Sequence, residues 1–182
     1  MTWTLQPALS AGIFFELLWL DLFPAGTYIP PQGLLSLSAC LSLLSCLPRA
    51  DMRTTALVLI ATLPLAYLGA WVEQGYRKRQ NLSYNQLITW NRRGGGHAFT
   101  PNRLVFRALV ELFAVYFLLH LLCVLALLPI LRAVQPWLMN GPQPTWPLFW
   151  IAASMGAILA LRLPRVYALT GAGLAVGAVF TL

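Results

Sequence analysis

The stretch FFELLWLDLFPAGTYIPP, residues 14–31, places two acids and a series of helix breakers inside an apolar run. The acids are Glu16 and Asp21, and the breakers are Pro24, Gly26, Pro30 and Pro31. Non-helical backbone survives at membrane depth only where protein or a water-filled cavity satisfies its polar groups. Ionisable residues at that depth are rare and usually face such a cavity. We therefore expect residues 8–32 to form a broken or re-entrant element that lines a polar space.

The whole chain has the composition of an integral membrane protein. Of its 182 residues, 59% are hydrophobic and only 9% are charged, and the mean hydropathy is +0.71. Soluble domains carry about 25% charged residues, so this chain cannot cover a soluble surface. The net charge of +7 comes from basic residues between apolar runs rather than along one face. That placement is typical of topology signals in a lipid bilayer and argues against nucleic acid as a partner.

The apolar runs predict an all-α, polytopic fold with a single membrane domain over residues 1–182. Spanning a bilayer takes about 20 residues as a helix, and four runs come near that length: residues 54–74, 105–131, 146–162 and 165–182. A fifth, 33–48, is slightly short and either spans or is re-entrant. We expect about five membrane-inserted helices after the broken element, with a hairpin over 33–74 and the C-terminal helices over 105–182.

Charge fixes the expected topology. The polar segment 75–104 could begin as an interfacial helix, which the glycines at 94–96 must end. If each run crosses once, the side that holds this segment carries eight basic residues, namely Arg77, Lys78, Arg79, Arg92, Arg93, Arg103, Arg162 and Arg165. The other side carries Arg49, Arg53 and Arg132. We therefore expect a cell (inner) membrane protein with 75–104 in the cytoplasm and 133–145 outside.

The acids of the opening stretch do not predict a catalytic pair. Five residues of helix turn about 500°, which leaves Glu16 and Asp21 some 140° apart. No histidine lies nearby in sequence for paired acid–base work. Asp21 is as well explained by a helix cap or a buried arginine partner as by a ligand. Glu16, deeper in the apolar run, is better explained by a ligand or a cavity.

The residues after the break favour a neutral, polyhydroxylated ligand. Pro30 and Pro31 suit the first turn of a following helix. We expect the free N–H groups of that turn and the Gln32 amide to point back toward the break. A carboxylate accepts hydrogen bonds, an amide does both, and helix-start N–H groups donate. This set suits a sugar better than an ion.

These residues resemble the IIC membrane permease of the mannose-class (mannose, fructose and sorbose) phosphotransferase system. That family has a Gly, a Glu four residues later, a Gly ten beyond the Glu, and a Pro-Asp ending sixteen beyond it. Gly12, Glu16, Gly26, Pro31 and Gln32 fall at those places without a gap, although Gln32 replaces the Asp and Pro24 stands where Asn is common. A second match, to Pro-Leu-Ala-x-x-Gly, consists of Pro64, Leu65, Ala66 and Gly69. The likeness covers roughly residues 5–130.

The resemblance implies a sugar-transporting subunit of a phosphoenolpyruvate-dependent system, not an enzyme. It would bind a hexose-type sugar through Glu16, Asp21, Gln32 and Gly26 and expose it inward. Partner subunits, a IID-type membrane protein and cytoplasmic IIA and IIB carriers, would transfer the phosphate. The permease then needs no catalytic residue, cofactor or metal, and a homo-oligomer is compatible with this role. Family members begin with about one further membrane segment, so the alternative is a shortened or degenerate permease with a structural or assembly role.

Other reactive residues have simpler explanations. The three cysteines lie in apolar runs without a C-x-x-C pair, which predicts buried thiols rather than a metal site: Cys40, Cys46 and Cys123. His120 lies in an apolar run as a core or lumen-facing polar residue, and His97 is a loop residue. The i,i+4 spacings of Arg107 with Glu111 and of Glu73 with Arg77 predict local ion pairs.

Overall fold

Every regular element in the described part of the chain is helical. The computed structural model describes residues 5–20, 22, 28–47, 51–92, 101–140, 143–160, 167, 168 and 170–172. The five long helices are α1 (Leu5–Leu18), α2 (Gly33–Cys46), α3 (Met52–Arg92), α4 (Pro101–Val134) and α5 (Trp146–Ala160). A 3₁₀ helix, Gln135–Asn140, follows α4. The all-α prediction is confirmed over these residues.

Two of the helices are long and apolar enough to cross a membrane by length and composition. The qualifying segments are Met52–Thr89 within α3 and Val105–Trp137, which includes most of α4. With 14 residues, α2 extends only about 21 Å, short of the roughly 30 Å hydrocarbon core, while the residues that follow the 15 of α5 lie outside the described part of the chain. The predicted span 165–182 lies mostly outside the described residues. The described chain thus supports two spans rather than about five.

Helix α3 continues far beyond its apolar half. Its 41 residues extend about 60 Å, twice the thickness of a hydrocarbon core. Residues 74–92 contain no proline, and their arginine, lysine, glutamine and leucine side chains favour helix. The predicted polar segment is therefore not a separate interfacial helix at its start, because it extends α3 directly. The described part of α3 reaches Arg92, and the predicted glycine stop at 94–96 lies outside the described residues.

The N-terminal element is helical up to Leu18, and the described residues between Leu18 and α2 are non-helical. Of these, residues 28–32 lead into α2, whose N-cap is Gln32. Asp21 and Gly26 lie outside the described residues. Helix α1 packs on α5, where Trp150 Nε1 donates to Ser10 O at 3.1 Å.

Helices α2, α3 and α4 pack side by side around a core of aliphatic residues, including Leu43, Leu44, Val58, Leu59 and Leu131. Two hydrogen bonds, far apart along the helices, hold α3 and the α4 region in antiparallel packing. Tyr76 OH donates to Ala108 O near one end, and Gln135 Nε2 donates to Thr54 Oγ1 at 3.2 Å near the other. At the start of α3, Asp51 Oδ1 accepts from the Thr54 backbone N–H at 2.9 Å, which caps the helix.

The three thiols differ in exposure. Cys40 is buried and Cys123 is half-buried, but Cys46 is exposed at the end of α2. The prediction of buried thiols is therefore wrong for Cys46, because α2 ends at this residue and its last turn is only partly covered by neighbouring helices.

Candidate functional site

Gln32 joins α2 to α3 through its backbone and its side chain. Its backbone N–H donates to Ala66 O at 2.9 Å, and its amide Nε2 donates to Glu73 Oε2. Gly69 makes this approach feasible, since a Cβ at this position would lie 2.8 Å from Gln32 Cβ. The backbones can come this close only without a side chain here. Residues of the two quoted motifs, distant in sequence, thus meet in space.

Glu73 is the centre of the contacts around Gln32. Its Oε1 accepts from Arg77 Nε at 3.0 Å, which confirms the predicted i,i+4 ion pair. Its Oε2 accepts from Gln32 and, at 3.4 Å, from Tyr116 OH on α4. The Glu73 side chain is only 18% exposed. Both carboxylate oxygens accept hydrogen bonds, and these bonds compensate for the loss of contact with water.

His120 extends the polar contacts one helical turn along α4. Its Nδ1 lies 3.3 Å from Ser38 Oγ and its Nε2 lies 3.2 Å from Ser42 Oγ. The Ser38 hydroxyl already donates to Leu35 O at 3.0 Å, so it can only accept from the ring. A ring tautomer with its proton on Nδ1 satisfies both contacts, because Nδ1 then donates to Ser38 and Nε2 accepts from Ser42. His120 is half-buried and hydrogen-bonded, as the sequence predicted for a core or lumen-facing position.

A cleft of about 510 Å³ opens between α2 and α4 beside these residues. Its polar lining is Gln32, Ser38, Tyr116 and His120, and its apolar lining is Leu34, Leu35, Phe113 and Phe117. The rings of Phe113 and Phe117 stack with centroids 6.0 Å apart. Ligand sites of this size typically combine apolar and aromatic walls with a few placed polar groups. The lining carries an amide, two hydroxyls and an imidazole but no formal charge, which suits an uncharged polar ligand.

The predicted site residues are only partly brought together. Gln32 lies in the cleft, whereas Glu16 is exposed on α1, does not line the cleft and has no ion-pair partner among the described residues. Asp21 and Gly26 are outside the described residues. Sequence reasoning assigned Glu73 to its ion pair alone and did not single out Tyr116. A signal was present, because Ser38 with Ser42 and Tyr116 with His120 are each spaced i,i+4 on one face of an apolar helix.

Metal chemistry has no support in the described part of the chain, where no group of three or more His, Cys, Asp and Glu side chains comes together. Comparison of the chain with protein-family models, with curated proteins and with solved structures gave no match. Function therefore has to follow from the chemistry of the cleft and from the motif residues that meet beside it.

Proposed function

We propose that this chain is the sugar-binding permease subunit, of the IIC type, of a phosphoenolpyruvate-dependent phosphotransferase system. The observation that carries the proposal is the contact of Gln32 with Glu73 at the edge of the cleft. Gln32 belongs to the first motif, and Glu73 lies in the segment that follows the second motif. Gln32 also contacts the second motif itself, at Ala66 and Gly69. These are the two motifs in which the sequence resembles the mannose-class permeases.

The proposal places the chain in the cell (inner) membrane as a multi-pass protein. Large apolar side chains cover the outer faces of α3 and α4, with Trp71 and Leu122 each more than 60% exposed. Only 11% of the most apolar part of α4 is buried against other helices. Small residues lie among the large aliphatic ones at the buried helix contacts, including Ala11, Ala39, Ala66, Ala153 and Ala157. Membrane helices pack in this manner, through small residues that let backbones approach.

The lining of the cleft is mostly apolar, and the hydrogen-bond partners that it offers a hexose are the few polar groups on Gln32, Ser38, Tyr116 and His120. The Gln32 carbonyl and second amide hydrogen remain for a ligand while Nε2 donates to Glu73. The Tyr116 oxygen keeps its lone pairs for a sugar hydroxyl while its proton points to Glu73. Phe113 and Phe117 provide apolar surface for the C–H face of a sugar ring. Glu73 itself acts as a positioning residue, because it orients Gln32 and Tyr116 from behind the cleft.

In the proposed transport cycle, this chain catalyses no reaction. The subunit binds the sugar from outside and exposes it inward, where cytoplasmic IIA and IIB carriers, together with a IID-type membrane subunit, phosphorylate it. Phosphorylation converts the sugar to an anion, which cannot return through an apolar barrier. Uptake thus gains its direction from the partners, and the chain needs only to bind and reorient.

Equilibrium binding of labelled mannose, fructose and sorbose to the purified chain in lipid nanodiscs tests the proposal. One charged hydrogen bond contributes about 1.5–3 kcal/mol, so Glu73→Gln should weaken binding about ten- to a hundredfold. Glu111→Gln is the matched control, since it also breaks an i,i+4 arginine pair but lies outside the cleft. The absence of saturable binding by all three hexoses, or an equal loss in the control, would overturn the proposal.

The same assay distinguishes the two possible binding positions. If Glu16 contacts the sugar, as the motif alone implies, Glu16→Gln should lower the affinity by a similar factor. If the cleft holds the sugar, Glu16→Gln should leave the affinity unchanged, because Glu16 is exposed on α1 and does not line the cleft.

A second candidate function is a structural or assembly subunit derived from such a permease. The observation that favours it is the shortness of α2, whose 14 residues do not reach across a hydrocarbon core. A membrane partner would cover the part of the bilayer that α2 does not reach. Stoichiometric co-purification with a membrane partner, in the absence of any hexose binding, would favour this function over the permease.

A further inference from the structure

A second concave surface lies between the polar extension of α3 and the first turns of α4. We call it the basic groove. It has a volume of about 570 Å³, and its lining residues are Tyr76, Arg79, Gln80, Leu82, Ser83, Tyr84 and Leu87 on α3 and Val105, Arg107, Ala108 and Glu111 on α4. The hydrogen bond from Tyr76 OH to Ala108 O joins the two helices at the groove, so its walls are held together by the fold.

The lining of the groove carries one positive charge in excess, from Arg79 and Arg107 against Glu111. Arg79 lines it from α3 and has no acidic partner in the described part of the chain. Arg107 lines it from α4 and pairs with Glu111 at 2.7 Å. The Gln80 amide and the Tyr84 hydroxyl add neutral donors. Guanidinium groups with neighbouring donors are the groups that proteins use to bind phosphate oxygens.

The groove lies at the level where both helices change from apolar to polar. On α3 the uncharged run that begins after Arg53 ends at Glu73, and on α4 the uncharged run begins after Glu111. Lipid headgroups occupy this level in a membrane, and basic pockets between helices on the cytoplasmic side typically bind anionic headgroups. On the membrane side of Arg107, Leu109 and Val110 are 58% and 50% exposed on α4. They offer a path for an acyl chain that a soluble phosphate would not use.

We propose that the basic groove binds the phosphate of an anionic phospholipid headgroup at the cytoplasmic face of the membrane. The proposal rests on the membrane placement given under the proposed function but not on sugar binding. If the chain bound no hexose, the lipid proposal would be unaffected. If the groove bound no lipid, the permease proposal would be unaffected. Arg79 contacts the phosphate, while Arg107, already partly neutralised by Glu111, adds a weaker contact.

Native mass spectrometry of the detergent-purified chain with phosphatidylglycerol tests the proposal, with phosphatidylcholine as the zwitterionic reference. One arginine near a lipid headgroup contributes about a fivefold gain in affinity. Arg79→Gln should therefore weaken phosphatidylglycerol binding about fivefold, and Arg79→Lys should weaken it less because the charge remains. Arg103→Gln is the matched control, since it removes the same charge from α4 four residues before Arg107 but outside the groove lining.

Two further results decide the source of the phosphate. Inorganic phosphate at millimolar concentration should not displace phosphatidylglycerol, because it lacks the acyl chains that contact α4. Displacement would assign the groove to a soluble phosphate ligand and overturn the lipid proposal. Equal binding of the two lipids would also overturn it, since the groove would then not distinguish an anionic from a zwitterionic headgroup. An equal loss with Arg79→Gln and Arg103→Gln would overturn it as well, since the effect would then not depend on the groove.

Discussion

Glu73 accepts hydrogen bonds from three sides of the helix assembly: from Gln32 before α2, from Arg77 on its own helix, and from Tyr116 on α4. One carboxylate therefore sets the relative positions of three helices. The sequence pointed to Gln32 through its motif and to Glu73 only through its local spacing from Arg77. Their contact joins residues 41 positions apart. It depends on how α2 packs against α3, which no periodicity along one helix encodes.

Gly69 is the residue on which that packing depends. Gly69→Ala places a Cβ against Gln32 Cβ, and we expect the overpacking to lower stability by about 1–3 kcal/mol and to weaken hexose binding. Gly75→Ala is the control on the same helix, because a Cβ there meets nothing within 4 Å. That control should be neutral or stabilising by up to about 1 kcal/mol. Thermal loss of the helical circular dichroism signal measures both changes, and equal behaviour of the two variants would contradict the close approach.

The Asp51 cap predicts a pH dependence. Hydrogen bonds from Thr54 lower the pKa of the Asp51 carboxyl below its ordinary value of 3.8. A lowered folded-state pKa means that the stabilisation is complete above the unfolded-state pKa and is lost as the pH falls through the folded-state value. Asp51→Asn still caps but carries no charge. We expect the wild type to be more stable by about 0.3–1 kcal/mol above pH 3.8, and the difference to vanish in stronger acid. A difference that stays constant on acidification would exclude this role for the Asp51 charge.

At the scale of the elements, the apolar runs predicted the positions of α3 and α4 in the sequence. They did not predict that α3 extends beyond its apolar run. The run 54–74 indicates where lipid ends, whereas helix propensity and the absence of proline decide where the helix ends. The described part of α3 continues for about 18 residues beyond the apolar boundary. The basic groove exists only because the helix continues past the apolar boundary. The sequence predicted its charges as a topology signal but not the surface on which they lie.

The continuity of α3 can be measured as a distance. Spin labels at the exposed positions Tyr67 and Asn85 lie 18 residues apart, which corresponds to about 27 Å along an unbroken helix. A right-angle turn midway, as for an interfacial helix on the membrane surface, would shorten the separation to about 19 Å. Double electron–electron resonance in nanodiscs distinguishes the two values, and the shorter one would contradict the continuous helix.

At the scale of the whole molecule, the charge distribution predicts one orientation in the membrane. Because the extension of α3 carries four of the eight described basic residues, we expect it in the cytoplasm and the segment before α5 outside. Cysteines introduced at Thr89 and Gln143, both exposed, test this in a background without Cys40, Cys46 and Cys123. An impermeant thiol reagent added to intact cells should label position 143 alone. Labelling of position 89 instead would reverse the topology.

The central claim is that a hexose occupies the cleft between α2 and α4, and protection of an introduced cysteine tests it most directly. Leu34 lines the cleft, is 77% exposed and makes none of the polar contacts, so Leu34→Cys reports occupancy without removing a proposed sugar contact. Leu9→Cys is the control, since Leu9 is also exposed but lies on α1 away from the cleft. In the background free of native cysteines, a saturating hexose should slow alkylation at position 34 and leave position 9 unchanged. Saturable hexose binding with no protection at position 34 would contradict the claim.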